Sequence, residues 1–134
     1  IPIFLNVDID SPQKALEYKN KYGVDGIMIG RAAIGSPWIF NQIKAYIFEN
    51  KLIEQPSIEE KIKTIRTHLQ KSVEWKGNVL GILEMRQHYS NYLKGLPNIK
   101  PYRAKLVMAN EFDEINEILT EIIQEYAGFE SVTI

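Results

Sequence analysis

The spacing of hydrophobic positions changes twice along this chain, and each change marks a different kind of element. Ile1-Pro2-Ile3-Phe4-Leu5 and Ile27-Met28-Ile29 are short, continuous apolar runs bounded by Asn, Asp and Gly. Runs of that length read as strands, over residues 1–6 and 25–30, buried on both faces as parallel strands are. Between them, Ser11-Pro12 supplies an N-cap and a first-turn proline, and Gly23 suits a left-handed stop, which predicts a helix over 12–22. Strand, helix and strand with short connections form one βαβ unit, which needs neighbouring elements to bury its sheet. Ser36-Pro37 repeats the start signal and predicts a helix from Pro37 to about Asn50, with Trp38, Ile39, Ile43, Tyr46 and Ile47 on one face.

Residues 50–56 are polar and end at Pro56, which makes them the expected boundary. Beyond it the period becomes purely helical. Ser57 with Glu60 forms a capping box, followed by the stripe Ile58, Ile62, Ile65, Leu69 and Val73 up to Gly77. A segment over 78–94 carries Ile82, Met85, Tyr89, and Tyr92 or Leu93, and Gly95-Leu96-Pro97 ends it. A shorter helix is expected over 100–109. Phe112, Ile115, Leu119, Ile122 and Tyr126 stripe the last one. Residues 57–127 therefore read as a four-helix bundle with short loops.

Hydrophobic residues make up 45% of the 134, enough for a packed core in about one domain of this length. The absence of cysteine excludes disulfides, thiolate metal sites and a cysteine nucleophile within the chain. Two histidines, His68 and His88, are too few for a histidine-rich metal site, so no metal is expected. No apolar run approaches the ~20 residues of a membrane helix, and Ile1-Pro2-Ile3 lacks the basic n-region of a signal peptide. A soluble cytoplasmic protein with no membrane contact is the default expectation. Because Ile1 opens a strand already under way, the chain is expected to continue a longer one. An uncovered βαβ unit is also a pairing liability, so self-association through its strands is expected.

The net charge of −1 conceals a sharp division. Residues 1–56 balance, whereas 57–110 carry ten basic side chains against four acidic ones, and 111–134 carry seven acidic and none basic. A basic middle suggests a surface facing a polyanion, with the acidic helix turned elsewhere. The alternatives are an ordinary solvated face, or an Arg86 that pairs with the neighbours of Glu84 in the core. A second candidate site lies at Gly30-Arg31, where a glycine, a guanidinium and the start of a helix converge; such a loop can hold a phosphate, or its arginine can simply pair with a carboxylate. His68 reads as structural, and Trp38, Tyr89 and Tyr92 sit at core spacing rather than as stacking platforms for bases.

The string from Gly23 to Phe40, with Gly30-Arg31-Ala32-Ala33 and Pro37-Trp38 at its centre, closely resembles the segment that follows the eighth barrel strand in the tRNA-dihydrouridine synthase family. Residues Glu84 to Pro97, including Arg86-Gln87-His88-Tyr89 and Leu93-Lys94-Gly95, resemble that family's helical-domain signature, so the resemblance covers most of the chain. It implies an α/β portion, the last βαβ of a TIM barrel in residues 1–50, followed by an all-α helical bundle that binds tRNA in 57–127; the whole is mostly helical. It further implies an FMN-dependent enzyme, using NADPH, that reduces uridine to dihydrouridine in tRNA. By the family's motif, Gly30 and Arg31 would touch the FMN phosphate, and Asn6, Val7 and Asp8 would form the companion loop. The family usually reads G-N-G-D there, whereas this chain has Leu5-Asn6-Val7-Asp8, and β-branched Val7 resists positive φ. Arg86, His88, Lys94, Lys100, Arg103 and Lys105 would face RNA. The family's general acid is a cysteine from earlier in the barrel, so no catalytic residue is assigned here and the chain alone is expected to be inactive. Two other readings stand beside it: a stand-alone RNA-binding helical module, and a different FMN barrel with an unrelated extension.

Overall fold

The structure, a computed structural model, describes residues 1–128. The chain divides into two compact units, the first running to Glu54 and the second from Gln55. It is mostly helical, as expected.

The first unit contains β1 (Phe4–Leu5), α1 (Pro12–Tyr22), β2 (Gly26–Ile27) and α2 (Ile39–Glu49), with a 3₁₀ turn over Arg31–Ala33. The two strands are parallel, Phe4 opposite Gly26 and Leu5 opposite Ile27. They are shorter than the apolar runs predict. Hydrogen bonds from Asp25 N–H to the Ile3 carbonyl and from Met28 N–H to the Leu5 carbonyl extend the ladder slightly at each end (2.9 and 2.8 Å). The Asp25 carboxylate accepts from Ile3 N–H at 2.8 Å. A Cβ at Gly26 would meet the Phe4 ring on the neighbouring strand, and that exposed ring would have to turn aside.

Helix α1 forms as its sequence dictates. The Ser11 hydroxyl accepts from Lys14 N–H at 3.2 Å, Pro12 opens the first turn, and Gly23 at φ 58° lets its N–H return to the Lys19 carbonyl. Helix α2 does not start at Pro37. It starts at Ile39, with no side-chain hydrogen bond capping it, after a turn in which the Ser36 carbonyl accepts from Ile39 N–H at 3.0 Å. The chain leaves the 3₁₀ turn through Gly35 at φ 71°. Asn50, at φ 52°, ends α2 in the left-handed region.

Ile9, Ala15, Ile39 and Ile43 form the core of this unit, with Leu5, Tyr18, Ile27, Ile29 and Ile47 packed around it. The expectation that the strands are buried on both faces is not met. Leu5, Ile27 and Ile29 are half-buried, while Phe4 and Met28 remain 68% and 57% exposed.

The second unit contains α3 (Ile58–Lys76), α4 (Leu80–Tyr92), α5 (Lys100–Met108) and α6 (Phe112–Glu125). The Ser57 hydroxyl accepts from Glu60 N–H at 3.3 Å and starts α3. Its stripe of Ile58, Ile62, Ile65 and Leu69 is buried, as are Ile82, Met85, Tyr89 and Leu93, Leu106 of α5, and Ile115, Ile118, Leu119 and Ile122 of α6; α3 packs on α4 and α6, and α5 on α4 and α6. Each such side chain contributes about 1.5–3 kcal/mol by leaving water. Helices α3 and α4 approach most closely at Gly81, where a Cβ would stand 2.7 Å from the Ser72 carbonyl oxygen and the Val73 Cα. The Ser72 hydroxyl donates to the Gly81 carbonyl at 2.9 Å across that crossing. Farther along, the Tyr126 hydroxyl donates to the Pro97 carbonyl at 2.5 Å and ties the end of α6 to the α4–α5 turn.

Candidate functional site

The first candidate site lies at the carboxyl ends of β1 and β2, where two loops leave the sheet side by side. Because the strands are parallel and paired in register, residues just beyond Leu5 and Ile27 emerge at the same edge. Asn6, Val7, Asp8 and Ile9 from the first loop face Gly30, Arg31 and Ala32 from the second, around a cleft of about 330 Å³. Carboxyl ends of parallel strands are where α/β sheets place ligands.

Within this cleft the Arg31 guanidinium makes a two-pronged ion pair with Asp8. Nε–H donates to Oδ1 at 3.2 Å and Nη2–H to Oδ2 at 2.5 Å. Both side chains are largely exposed, 81% and 69%, so the pair adds little to stability. It lowers the Asp8 carboxyl below its usual range, through the hydrogen bond and charge of Arg31, and raises the Arg31 guanidinium correspondingly. Of the two readings open for Arg31, the carboxylate partner is thus present. The fork occupies only the Nε edge, however, and both Nη1–H groups and the second Nη2–H remain for an anion. A Cβ at Gly30 would meet nothing within 4 Å, so the backbone there stands open to a ligand. Val7 is exposed at the rim, with its side chain 39% accessible. The donor set fits a phosphate group approached by Gly30 and the outer edge of Arg31.

The second candidate surface is in the helical unit, and here the structure separates residues that the sequence grouped. Arg86 is not a free surface cation. Its Nη2 donates to the Asn110 Oδ1 at 2.9 Å and to the Ala109 carbonyl at 3.4 Å, fastening α4 to the end of α5, and its Nε is buried. His88 is half-buried against His68, their ring centroids 4.7 Å apart. The His68 Nδ1 lies 3.0 Å from the Tyr92 hydroxyl, and burial together with the His88 charge pulls the His68 pKa down. The structural reading of His68 therefore holds, and His88 belongs with it. Burial pushes the Tyr89 phenol up to about 12, against a smaller opposing effect of Arg86.

Lys94 and Lys100 are exposed at either end of the α4–α5 turn. Arg103 is half-buried with its Nε out of solvent. Lys105 is exposed but stands 5.5 Å over the Tyr102 ring and 3.6 Å from the Glu121 carboxylate of α6. The acidic helix is accordingly not turned away from the whole basic segment, because α5 packs directly on α6. Sequence reasoning missed Asn110 and Glu121 as partners of these cations. Neither carries a local signal, since both partnerships join helices rather than neighbours along one helix. Gly81 did carry one, a glycine inside a helical pattern.

Among the described residues no helix is long and apolar enough to cross a membrane, and no three His, Asp or Glu side chains are grouped to hold a metal ion.

Two loops thus meet in an open cleft at the carboxyl ends of a parallel βαβ unit, and a helical unit with exposed Lys94 and Lys100 follows it in the chain. The chain belongs to the dihydrouridine synthase family, whose model matches residues 1–127. It is 39% identical over 104 residues to tRNA-dihydrouridine synthase B of Pseudomonas syringae pv. tomato, covering 78% of this chain and 31% of that protein. It is 35% identical over 127 residues to a probable tRNA-dihydrouridine synthase of Rickettsia bellii, covering 92% of this chain and 39% of that protein. The chain thus spans about a third of the length of these relatives. The family match extends over both units, which does not favour a stand-alone helical module.

Proposed function

We propose that the chain serves as the C-terminal portion of a tRNA-dihydrouridine synthase, an FMN- and NADPH-dependent enzyme that reduces uridine to 5,6-dihydrouridine in tRNA. In this reading residues 1–50 are the last βαβ of a (β/α)₈ barrel and 57–127 the tRNA-binding domain. The observation that carries the proposal is the cleft in which Asn6–Asp8 and Gly30–Arg31 converge, in a chain of this family. Loops after the last strands of such barrels commonly hold phosphate. FMN, once bound and reduced, supplies the hydride. The chain's own residues bind and orient it: the Gly30 backbone lets the phosphate approach, Arg31 donates from its Nη1 edge, and Asn6 donates from its amide.

The helical unit would hold tRNA through Lys94, Lys100, Arg103 and Lys105, whose contacts with phosphates carry affinity rather than base preference. Arg86 and His88 would support that surface from behind. A tRNA substrate puts such an enzyme in the cytoplasm.

The test is binding of tRNA to the chain as salt is varied. Three to five phosphate contacts give a log–log slope of about −2 to −4. Replacing Lys94 and Lys100 with alanine should weaken binding to every tRNA alike and flatten the slope by about one unit per lost contact. No binding at low salt, or a slope untouched by both changes, removes RNA from the reading of this unit.

A further inference from the structure

The ion pair between Asp8 and Arg31 places a negative charge at the mouth of a cleft whose open donors call for an anion. On charge alone Asp8 would oppose the ligand. The geometry points to a different role: we propose that Asp8 is a positioning residue, which holds the Arg31 guanidinium by its Nε edge and thereby aims its Nη1 edge at a phosphate monoester. The inference rests on the FMN-phosphate reading of the cleft and concerns how that site is built.

Three observations carry it. The pair joins loops 23 residues apart in sequence, so it fixes Arg31 relative to the companion loop rather than to its own turn. It is two-pronged, through Nε and Nη2 to the two carboxylate oxygens, and this sets the plane of the guanidinium as well as its position. It is also highly exposed, so it is not explained as part of the core. An arginine otherwise free in solvent would have to give up its rotamer freedom on each binding event. Here that ordering is made beforehand, with Gly30 leaving open space beside it. A lysine at position 31 could supply the charge but could not be held in this way, because an ammonium has no plane to fix.

The experiment titrates the full chain with inorganic phosphate while nitrogen–proton NMR follows the Arg31 Nε–H and the Gly30 amide. In the wild type both signals should move together along one binding curve. Asp8→Ala should weaken phosphate binding by at least ~3-fold although it removes a like charge, because the unheld arginine loses its preset geometry. Asp8→Glu, which restores a two-oxygen acceptor on a longer arm, should recover part of the affinity. The Nε–H signal should shift towards that of an unpaired arginine in Asp8→Ala but not in Asp8→Glu. Equal or tighter binding by Asp8→Ala overturns the positioning role while leaving the phosphate site intact, as does an equal loss in both variants. A wild type whose Gly30 and Arg31 signals ignore phosphate overturns the phosphate reading of the cleft, and the positioning role with it.

Discussion

The two units close their hydrophobic cores to different degrees. In the helical unit the apolar stripes close on one another, and Ile62, Ile65, Leu69, Leu93, Leu106, Ile115, Leu119 and Ile122 are fully buried. In the βαβ unit only a small core around Ile9 and Ala15 is closed, while Ile3, Phe4, Met28 and Phe48 lie more than half exposed. The difference follows from how each element buries its apolar surface. An amphipathic helix has one stripe, and four short-looped helices satisfy one another. A parallel strand presents two faces and two edges, and one helical layer covers only part of them.

The largest expected effect that sharpens this contrast is truncation of the helical core. Leu119→Ala should lower the stability of the second unit by about 2–5 kcal/mol, read as a lower denaturant midpoint, because it leaves a cavity in a closed core. The matching change in the first unit, Phe48→Ala at an 80% exposed side chain, should stay within about 0.5 kcal/mol. Equal effects would mean that the two units are packed alike. Next in size is Gly81→Ala. Its Cβ would meet backbone atoms of α3, so the helices must part, at a cost of about 1–3 kcal/mol measured the same way.

A pH-dependent effect comes next and is confined to the helical unit. The folded His68 pKa lies below its ordinary value of 6.5. The unfolded chain therefore takes up the proton first. The contribution is fully present above 6.5 and is lost as pH falls below it. Urea midpoints of the second unit should fall as the pH drops below 6.5, and His68→Gln should flatten that fall. At the alkaline end the sign reverses. Tyr89 keeps its proton up to about 12 when folded, so its contribution is lost as pH rises above the ordinary phenol value of 10. The smallest expected effect is at Lys105 and Glu121. Breaking this exposed pair with Glu121→Ala should change stability by no more than about 0.5–1 kcal/mol. The same change should strengthen tRNA binding, since it frees Lys105.

Both units were legible in the sequence at the level of elements. Ser11-Pro12, Gly23 and Ser57 mark real helix ends because caps act within a few residues of chain. Ser36-Pro37 carries the same signal, yet α2 begins two residues past Pro37, with no side-chain cap. The loop pair of the cleft was legible from the family motif.

Short-range features were therefore determined by the sequence itself: periodicity, most caps, the −7 tail, and the positions of Gly30 and Arg31. Such features depend on neighbours one to four residues away, and these the chain order supplies. Which charges are spoken for follows from packing between elements. Asp8 takes the Nε edge of Arg31, Asn110 takes Arg86, Glu121 takes Lys105, and His68 packs against His88. Each partnership joins residues 16 to 24 positions apart, brought together only by folding, and no local period encodes it. An ionic or ring contact is settled by where two backbones come to lie, which is a property of the packed fold.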